Sequence, residues 1–372
     1  MRQLIIRPVT YQFDTCKAFA DAFNIGPGDL IITKEHIYRN FLKGLNPDAH
    51  TLFQEKYGRG EPSDEMAEAM LSDGTVGKDY KRVIAIGGGS VLDTAKLFVL
   101  ENPRPILDLF DRKIPIKKTR ELVLVPTTCG SGSEATNVTI LELKSRHTKL
   151  GLADDELYAD SAVLIPELLG RLPFEAFGTS SIDALIHSME SVLSPRATSY
   201  TELFGYKSIE IILSGYKIIA REGPEARLPL LKDFLIASNY AGISFVNSGT
   251  GAVHAMSYPL GGVYHVPHGE ANYCMLIGVF NKYMAKDPNG RISRLNAFIA
   301  NILGCGESVV YGELEKLLGT IVQRKPLREY GVTEQDLKDF TENVMTKQGR
   351  LMANNYAELF ESDVYGIYKE LY

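Results

Sequence analysis

The run RVIAIGGGSVLDTAKLF, residues 82–98, calls for a strand, a tight turn and a helix in immediate succession. Val83 to Ile86 is apolar at every position and too short for a helix, as expected of a strand covered on both faces. Gly87, Gly88 and Gly89 then permit a tight turn with close backbone approach, and helical sequence opens at about Ser90. Similar apolar runs recur at DLIITK (29–34), ELVLVPTT (121–128) and SAVLIPELL (161–169), separated by amphipathic stretches. That alternation predicts a parallel α/β sheet over residues 1–168. After RLPFEAFGTS the apolar period lengthens, in YTELFGYKSIEIILSGYKIIA and RLPLLKDFLIASNYAGISF, and residues 169–372 are predicted to form an all-α domain.

The 372 residues are 45% hydrophobic and 23% charged, enough to bury two moderate cores. A net charge of -6 without any long Lys/Arg run gives no electrostatic reason to bind nucleic acid or anionic lipid. No run of 18 apolar residues suggests a membrane span. Cys16, Cys129, Cys274 and Cys305 lie far apart, with no C-x-x-C pair, and fit reduced thiols. The opening MRQLIIRPVTYQFDT meets Arg7 after three apolar residues, unlike a secretory signal, so a cytoplasmic location is expected.

The glycine turn is suited to an anion, because amides at a helix start face a ligand there. Leu92 stands where the usual dinucleotide fingerprint has its third glycine, and no Gly-Lys-Ser/Thr follows, so a tight connection without a ligand is the competing reading. A second loop, PTTCGSGSEATN (126–137), also follows a strand and offers Thr127, Thr128 and Ser131 as donors to phosphate, ribose or a carboxamide. Otherwise it is a polar surface turn. Two such loops on one sheet edge favour a dinucleotide. Cys129 has no neighbouring histidine to act as its base and reads as packing.

Three of the seven histidines fall in HAMSYPLGGVYHVPHGEAN (254–272). Upstream, SSIDALIHSMESVLS places Asp183 and His187 at i, i+4 on one helix face, as two ligands of one cation require. His254 lies on a later helix, and His268 follows a glycine-proline passage that can turn the chain back. The four would supply one oxygen and three nitrogens, a set suited to Fe(II) or Zn(II) with a position left open for substrate. Taken singly, each histidine can equally cap a helix or pack. His265 reads as a substrate-pocket or proton-relay group, with plain packing as the alternative.

Together GGGSVLDTAK, PTTCGSGSEATN and the 254–272 segment resemble the iron-containing (group III) alcohol dehydrogenases, over nearly the whole chain. The resemblance implies the dehydroquinate synthase-like fold of that family: an α/β N-terminal dinucleotide-binding domain, an all-α C-terminal domain, and a divalent metal between them. It assigns the metal to Asp183, His187, His254 and His268. It assigns the dinucleotide to Gly87, Gly88, Gly89, Ser90, Asp93, Thr127, Thr128, Ser131 and Lys149. Asp93 and Lys96 complete the signature, although a first-turn acid and a helix-surface lysine would look the same for structural reasons. Where many relatives carry a further histidine, this chain has Tyr258, whose phenol can relay a proton instead. NAD is expected, with NADP left open because Lys34, followed by Glu35, stands where NAD-preferring relatives often have an acid.

The resemblance extends through FQEKYGRGEPSDEM, SNYAGISF, YHVPHGEANY and RKPLREYG, and implies hydride exchange between 4-hydroxybutyrate and succinate semialdehyde. A simple primary alcohol or diol is the alternative substrate, and a dehydroquinate synthase-like lyase the remoter one. The metal would act as a Lewis acid on the hydroxyl, removing the need for a strong protein base. Arg324, Lys325, Arg328, Arg350 and His265 are the candidates for holding a substrate carboxylate. The resemblance also implies a homodimer.

Overall fold

A computed structural model describes the chain except residues 1, 2, 46, 59, 75–78 and 147. Six strands form a parallel sheet: β1 (Val9–Gln12), β2 (Asp29–Thr33), β3 (His50–Phe53), β4 (Arg82–Gly87), β5 (Glu121–Pro126) and, after an intervening hairpin, β8 (Ser161–Leu164). Their order across the sheet is β1-β8-β5-β4-β2-β3. β2 and β8 are buried at every residue, and β4 and β5 at all but their first. That is why these four read as continuous apolar runs. β1 is exposed throughout and β3 partly so, as edge strands are, and neither has the apolar continuity that marks the others. The antiparallel hairpin β6 (Val138–Leu143) and β7 (Thr148–Ala153) was not foreseen from the sequence.

From β2 the chain moves outward to β3, returns to β4 beside β2, and then proceeds the other way through β5 to β8. The carboxyl ends of β2 and β4 therefore flank a topological switch point, where open α/β sheets leave a crevice for ligand. Thr33 aligns with Ile86 and Gly87 with Pro126, so the three central strands end side by side. Thr33 Oγ1 donates to the carbonyl of Ile86 at 2.7 Å, and the Thr127 amide to that of Gly87 at 3.0 Å. Around the sheet lie α1 (Cys16–Phe23), α2 (Asp64–Leu71) and α3 (Gly89–Ala95).

Residues Ile6–Leu172 form one compact unit, and Pro173–Tyr372 the core of another. Residues 3–5 group with the second unit: Asn247 accepts from the amide of Ile5 and donates to its carbonyl. The second unit is helical, with α4 (Phe174–Leu193), α5 (Ser199–Glu222), α6 (Leu231–Ser248), α7 (Ala252–Tyr264), α8 (His268–Lys286), α9 (Arg291–Leu303), α10 (Val310–Ile321), α11 (Glu334–Lys347) and α12 (Glu361–Leu371). Local chemistry sets the breaks. Pro195 forces Ser194 into an extended conformation and ends α4, Thr198 and Thr201 form the capping box of α5, and Gly249, at φ +85, ends α6. Among the described residues no helix is long and apolar enough to cross a membrane.

Candidate metal and dinucleotide sites

α4 carries Asp183, His187 and Glu190 at i, i+4 and i+7, which places all three on one face. α7 contributes His254 from its first turn, and α8 contributes His268 as its first residue. One ligand atom from each of Asp183, His187, His254 and His268 lies within 4.8 Å of the other three. Asp183 is central: its carboxylate oxygens lie 3.8 Å from His187 Nδ1, 3.9 Å from His254 Nε2 and 3.8 Å from His268 Nε2. Ligand atoms bound at about 2.1 Å to one ion lie roughly 3.4 Å apart in a tetrahedral set, and the three Asp183 separations are close to that value.

The surroundings fit a cation. Burial raises the carboxyl pKa of Asp183, but the three imidazoles and the Asn272 amide outweigh it and hold the group below its ordinary value. His254 Nε2 is buried with no hydrogen-bond partner among the described residues. His187 is fixed by stacking, with ring centroids 4.3 Å from Phe245 and 4.5 Å from His254. The His268 side chain is 29% exposed while those of the other three are 7% or less, so the approach from solvent lies on the His268 side.

Glycines let the supporting helices close on one another. A β-carbon at Gly269 would overlap the carbonyl oxygen of Thr179 and stand 3.0 Å from the carbon of that carbonyl, so α8 meets the backbone of α4 directly. At Gly251 a β-carbon would stand 2.9 Å from Asn355 Oδ1 and 3.3 Å from Glu190 Oε1. These are the close approaches that the glycine interruptions in helical sequence signal. Asn272, one turn beyond His268, donates to Asp183 Oδ1 at 2.7 Å.

Tyr258, one turn after His254, is half-buried with its ring 6.2 Å from that of His268. His265 is exposed and left-handed, φ 54, at the end of α7. Two of the cations considered for a substrate carboxylate are otherwise engaged. Arg324 is paired with Glu315 at 2.6 Å. Lys325 lies 3.7 Å from Glu270, which also accepts from Tyr330 at 2.8 Å. Glu270 projects from α8 about 200° around the helix from His268. Arg328 and Arg350 are exposed.

In the α/β unit, Gly88 caps α3, its carbonyl accepting from Val91 at 2.9 Å and Leu92 at 3.1 Å. A β-carbon at Gly87 would sit 2.5 Å from that of Val91, and one at Gly89 would sit 3.1 Å from Ser131. The need for glycine here is space for the helix and the second loop, since neither residue has positive φ. Leu92, at the fingerprint's missing glycine, is fully buried. Thr127 is buried, and Ser90, Thr128 and Ser131 are half-buried.

The two remaining signature residues, Asp93 and Lys96, are tied to the second loop. Lys96 is no helix-surface lysine: it is wholly buried, and Nζ donates to Ser133 Oγ at 2.9 Å, Thr136 Oγ1 at 3.1 Å and the Val138 carbonyl at 2.5 Å. The Asp93 carboxylate accepts from Ser133 Oγ and from the Ile140 amide at 2.9 Å, and lies 3.5 Å from Lys96 Nζ. Both therefore brace the second loop from behind. Lys149, on β7, is mostly buried and lies 3.8 Å from Glu61. Cys129 is fully buried.

Residues 13–166 match the family model "Iron-containing alcohol dehydrogenase", and residues 177–372 match "Fe-containing alcohol dehydrogenase family, C-terminal". The chain belongs to the iron-containing alcohol dehydrogenase family. It is 50% identical over 373 residues to the 4-hydroxybutyrate dehydrogenase of Clostridium kluyveri, covering 100% of both chains. It is 32% identical to long-chain-alcohol dehydrogenase 1 of Geobacillus thermodenitrificans, over 83% of this chain and 79% of that one. The crystal structure of the sulfoacetaldehyde reductase from Bifidobacterium kashiwanohense, in complex with NAD+, superposes with a TM-score of 0.84 at 20% identity, covering 100% of this chain and 99% of that one, and shares the fold.

In this iron-containing alcohol dehydrogenase, Glu190 and Asn272 support the metal-site residues without being candidate ligands, and neither is singled out by the sequence motifs. A signal was present for the first. Glu190 repeats the Asp183–His187 face one turn on, where an acid in apolar helical sequence needs a partner.

Proposed function

We propose that the chain interconverts 4-hydroxybutyrate and succinate semialdehyde with NAD(H), holding one Fe(II) on Asp183, His187, His254 and His268. The observation that carries this reading is identity of 50% across the full length to a 4-hydroxybutyrate dehydrogenase, in a chain whose four ligand candidates meet at one point. When bound, the iron supplies Lewis acidity to the hydroxyl or aldehyde oxygen, and the nicotinamide supplies the hydride acceptor or donor.

The chain's own residues supply position and proton handling. Gly87, Gly88, Gly89 and Ser90 form the strand-to-helix turn whose amides would seat the pyrophosphate, and Thr127, Thr128 and Ser131 offer hydroxyls to the rest of the dinucleotide, with Lys149 toward its ribose. Tyr258, beside the exposed edge of His268, relays the hydroxyl proton to solvent. His265, on the loop leading into His268, meets the substrate carboxylate. NAD(H) over NADP(H) is supported by Glu55, whose carboxylate accepts from the Glu35 amide at 2.6 Å near the end of β2 and would repel a 2'-phosphate.

The test is a dehydrogenase assay of purified protein with 4-hydroxybutyrate, butanol and a diol, against NAD and NADP. NADH formation should be greatest with 4-hydroxybutyrate and NAD, vanish on chelation and return with Fe(II). Zn(II) alone restoring it would correct the metal, and butanol turned over as well as the hydroxy acid would correct the substrate. His265→Ala should narrow the preference for 4-hydroxybutyrate over butanol; unchanged discrimination removes His265 from the carboxylate site.

A further inference from the structure

We propose that Glu190 is a positioning residue for the metal centre, locking His254 in the tautomer that turns a bare Nε2 toward the ion. The proposal rests on the metal reading above and adds a residue that is not itself a ligand. Glu190 is buried, its side chain 2% exposed. Its Oε2 lies 2.6 Å from His254 Nδ1, and its Oε1 accepts the amide of Val253 at 2.7 Å. A carboxylate has only acceptors to offer, so the nitrogen facing it carries the proton. A neutral ring then has its lone pair on Nε2, the atom that is buried with no hydrogen-bond partner and stands 3.9 Å from Asp183 Oδ1. A hydrogen bond from the far ring nitrogen to a carboxylate is how metal-binding histidines are oriented and made more basic.

The same carboxylate also starts the helix. α7 has Gly251 at its N-cap and no side-chain cap of its own, and Glu190 satisfies the second amide of its first turn from across the bundle. Ring orientation and helix position are thus set by one group. Gly251 is small because a side chain there would crowd that group and Asn355.

Glu190→Gln keeps the shape and removes one acceptor. Its amide NH2 must face either the Val253 N–H, donor against donor, or His254 Nδ1, where it forces the ring proton onto Nε2. Co(II) affinity is measured on the full chain by visible absorption in competition with a chelator, beside a thermal melt of the metal-free protein. The variant is expected to bind Co(II) about 10- to 100-fold more weakly at unchanged stoichiometry. Nitrogen NMR of labelled histidine in the metal-free wild type reads the tautomer directly and does not depend on the variant folding; His254 should be protonated on Nδ1. Equal Co(II) affinities, or a wild-type His254 protonated on Nε2, would overturn the proposal and leave the metal reading standing. Wild type that takes up no Co(II) would overturn both.

Discussion

Gly269→Ala should release the metal while leaving a folded protein. His268 opens α8, and the next residue packs on the backbone of α4 at Thr179, one turn before Asp183. An added β-carbon would meet the Thr179 carbonyl and come within 3.3 Å of the β-carbon of Asp183. A side-chain tip could swing away, whereas a helical carbonyl is held by its own ladder, so α8 must move by roughly 1 Å to restore ordinary contact. That movement widens the 3.8 Å separation of His268 from Asp183, in a site whose metal–ligand distances tolerate only about 0.2 Å. Overpacking of this kind costs about 1–3 kcal/mol of stability. Metal affinity should fall more steeply, on the order of 100-fold, because the strain falls on the ligand geometry. Co(II) titration and thermal melts of the metal-free variant measure the two effects separately. Wild-type affinity in Gly269→Ala would show that the helix contact does not set the site.

The second large effect is expected at Lys96→Met. Burial lowers the ammonium pKa, against the opposing influence of Asp93 and Glu134, yet three further acceptors surround it. Methionine fills a similar volume but donates nothing. The Val138 carbonyl loses its donor, and Asp93, whose side chain is 14% exposed, loses its countercharge. Breaking a buried pair typically costs about 3–5 kcal/mol, and the partial exposure of Asp93 favours the low end. At about 2–4 °C per kcal/mol for a unit of this size, the melting of the α/β unit should fall by roughly 6–12 °C. Ser133 anchors the loop that carries Thr127, Thr128 and Ser131, so NADH binding, followed by its fluorescence, should weaken as well. A midpoint within about 1 °C of wild type would mean that the lysine is dispensable to the unit.

Much of this architecture could be read directly from residue order. β2, β4, β5 and β8 are buried on both faces, and burial on both faces writes itself as an unbroken apolar run. β1, VTYQ, is an exposed edge, and the alternating VTILEL of β6 buries one face only, so neither gives that signal. Asp183 and His187 announced themselves because helical spacing is local. Their meeting with His254 and His268 depends on how α4, α7 and α8 pack, and the sequence marks that packing only by glycines whose partners no sequence rule names. Lys96 shows the converse limit. On a helix of polar and apolar residues a lysine reads as solvated, and only the carbonyl and hydroxyls brought by a later loop and strand make its burial tolerable.

The most direct measurement is the iron content of purified chain reconstituted anaerobically with Fe(II), for wild type, Asp183→Ala and His254→Ala. One ion per wild-type chain and none in either variant is the predicted result. Iron kept at full stoichiometry by either variant, or absent from wild type, would contradict convergence of these side chains on a single ion.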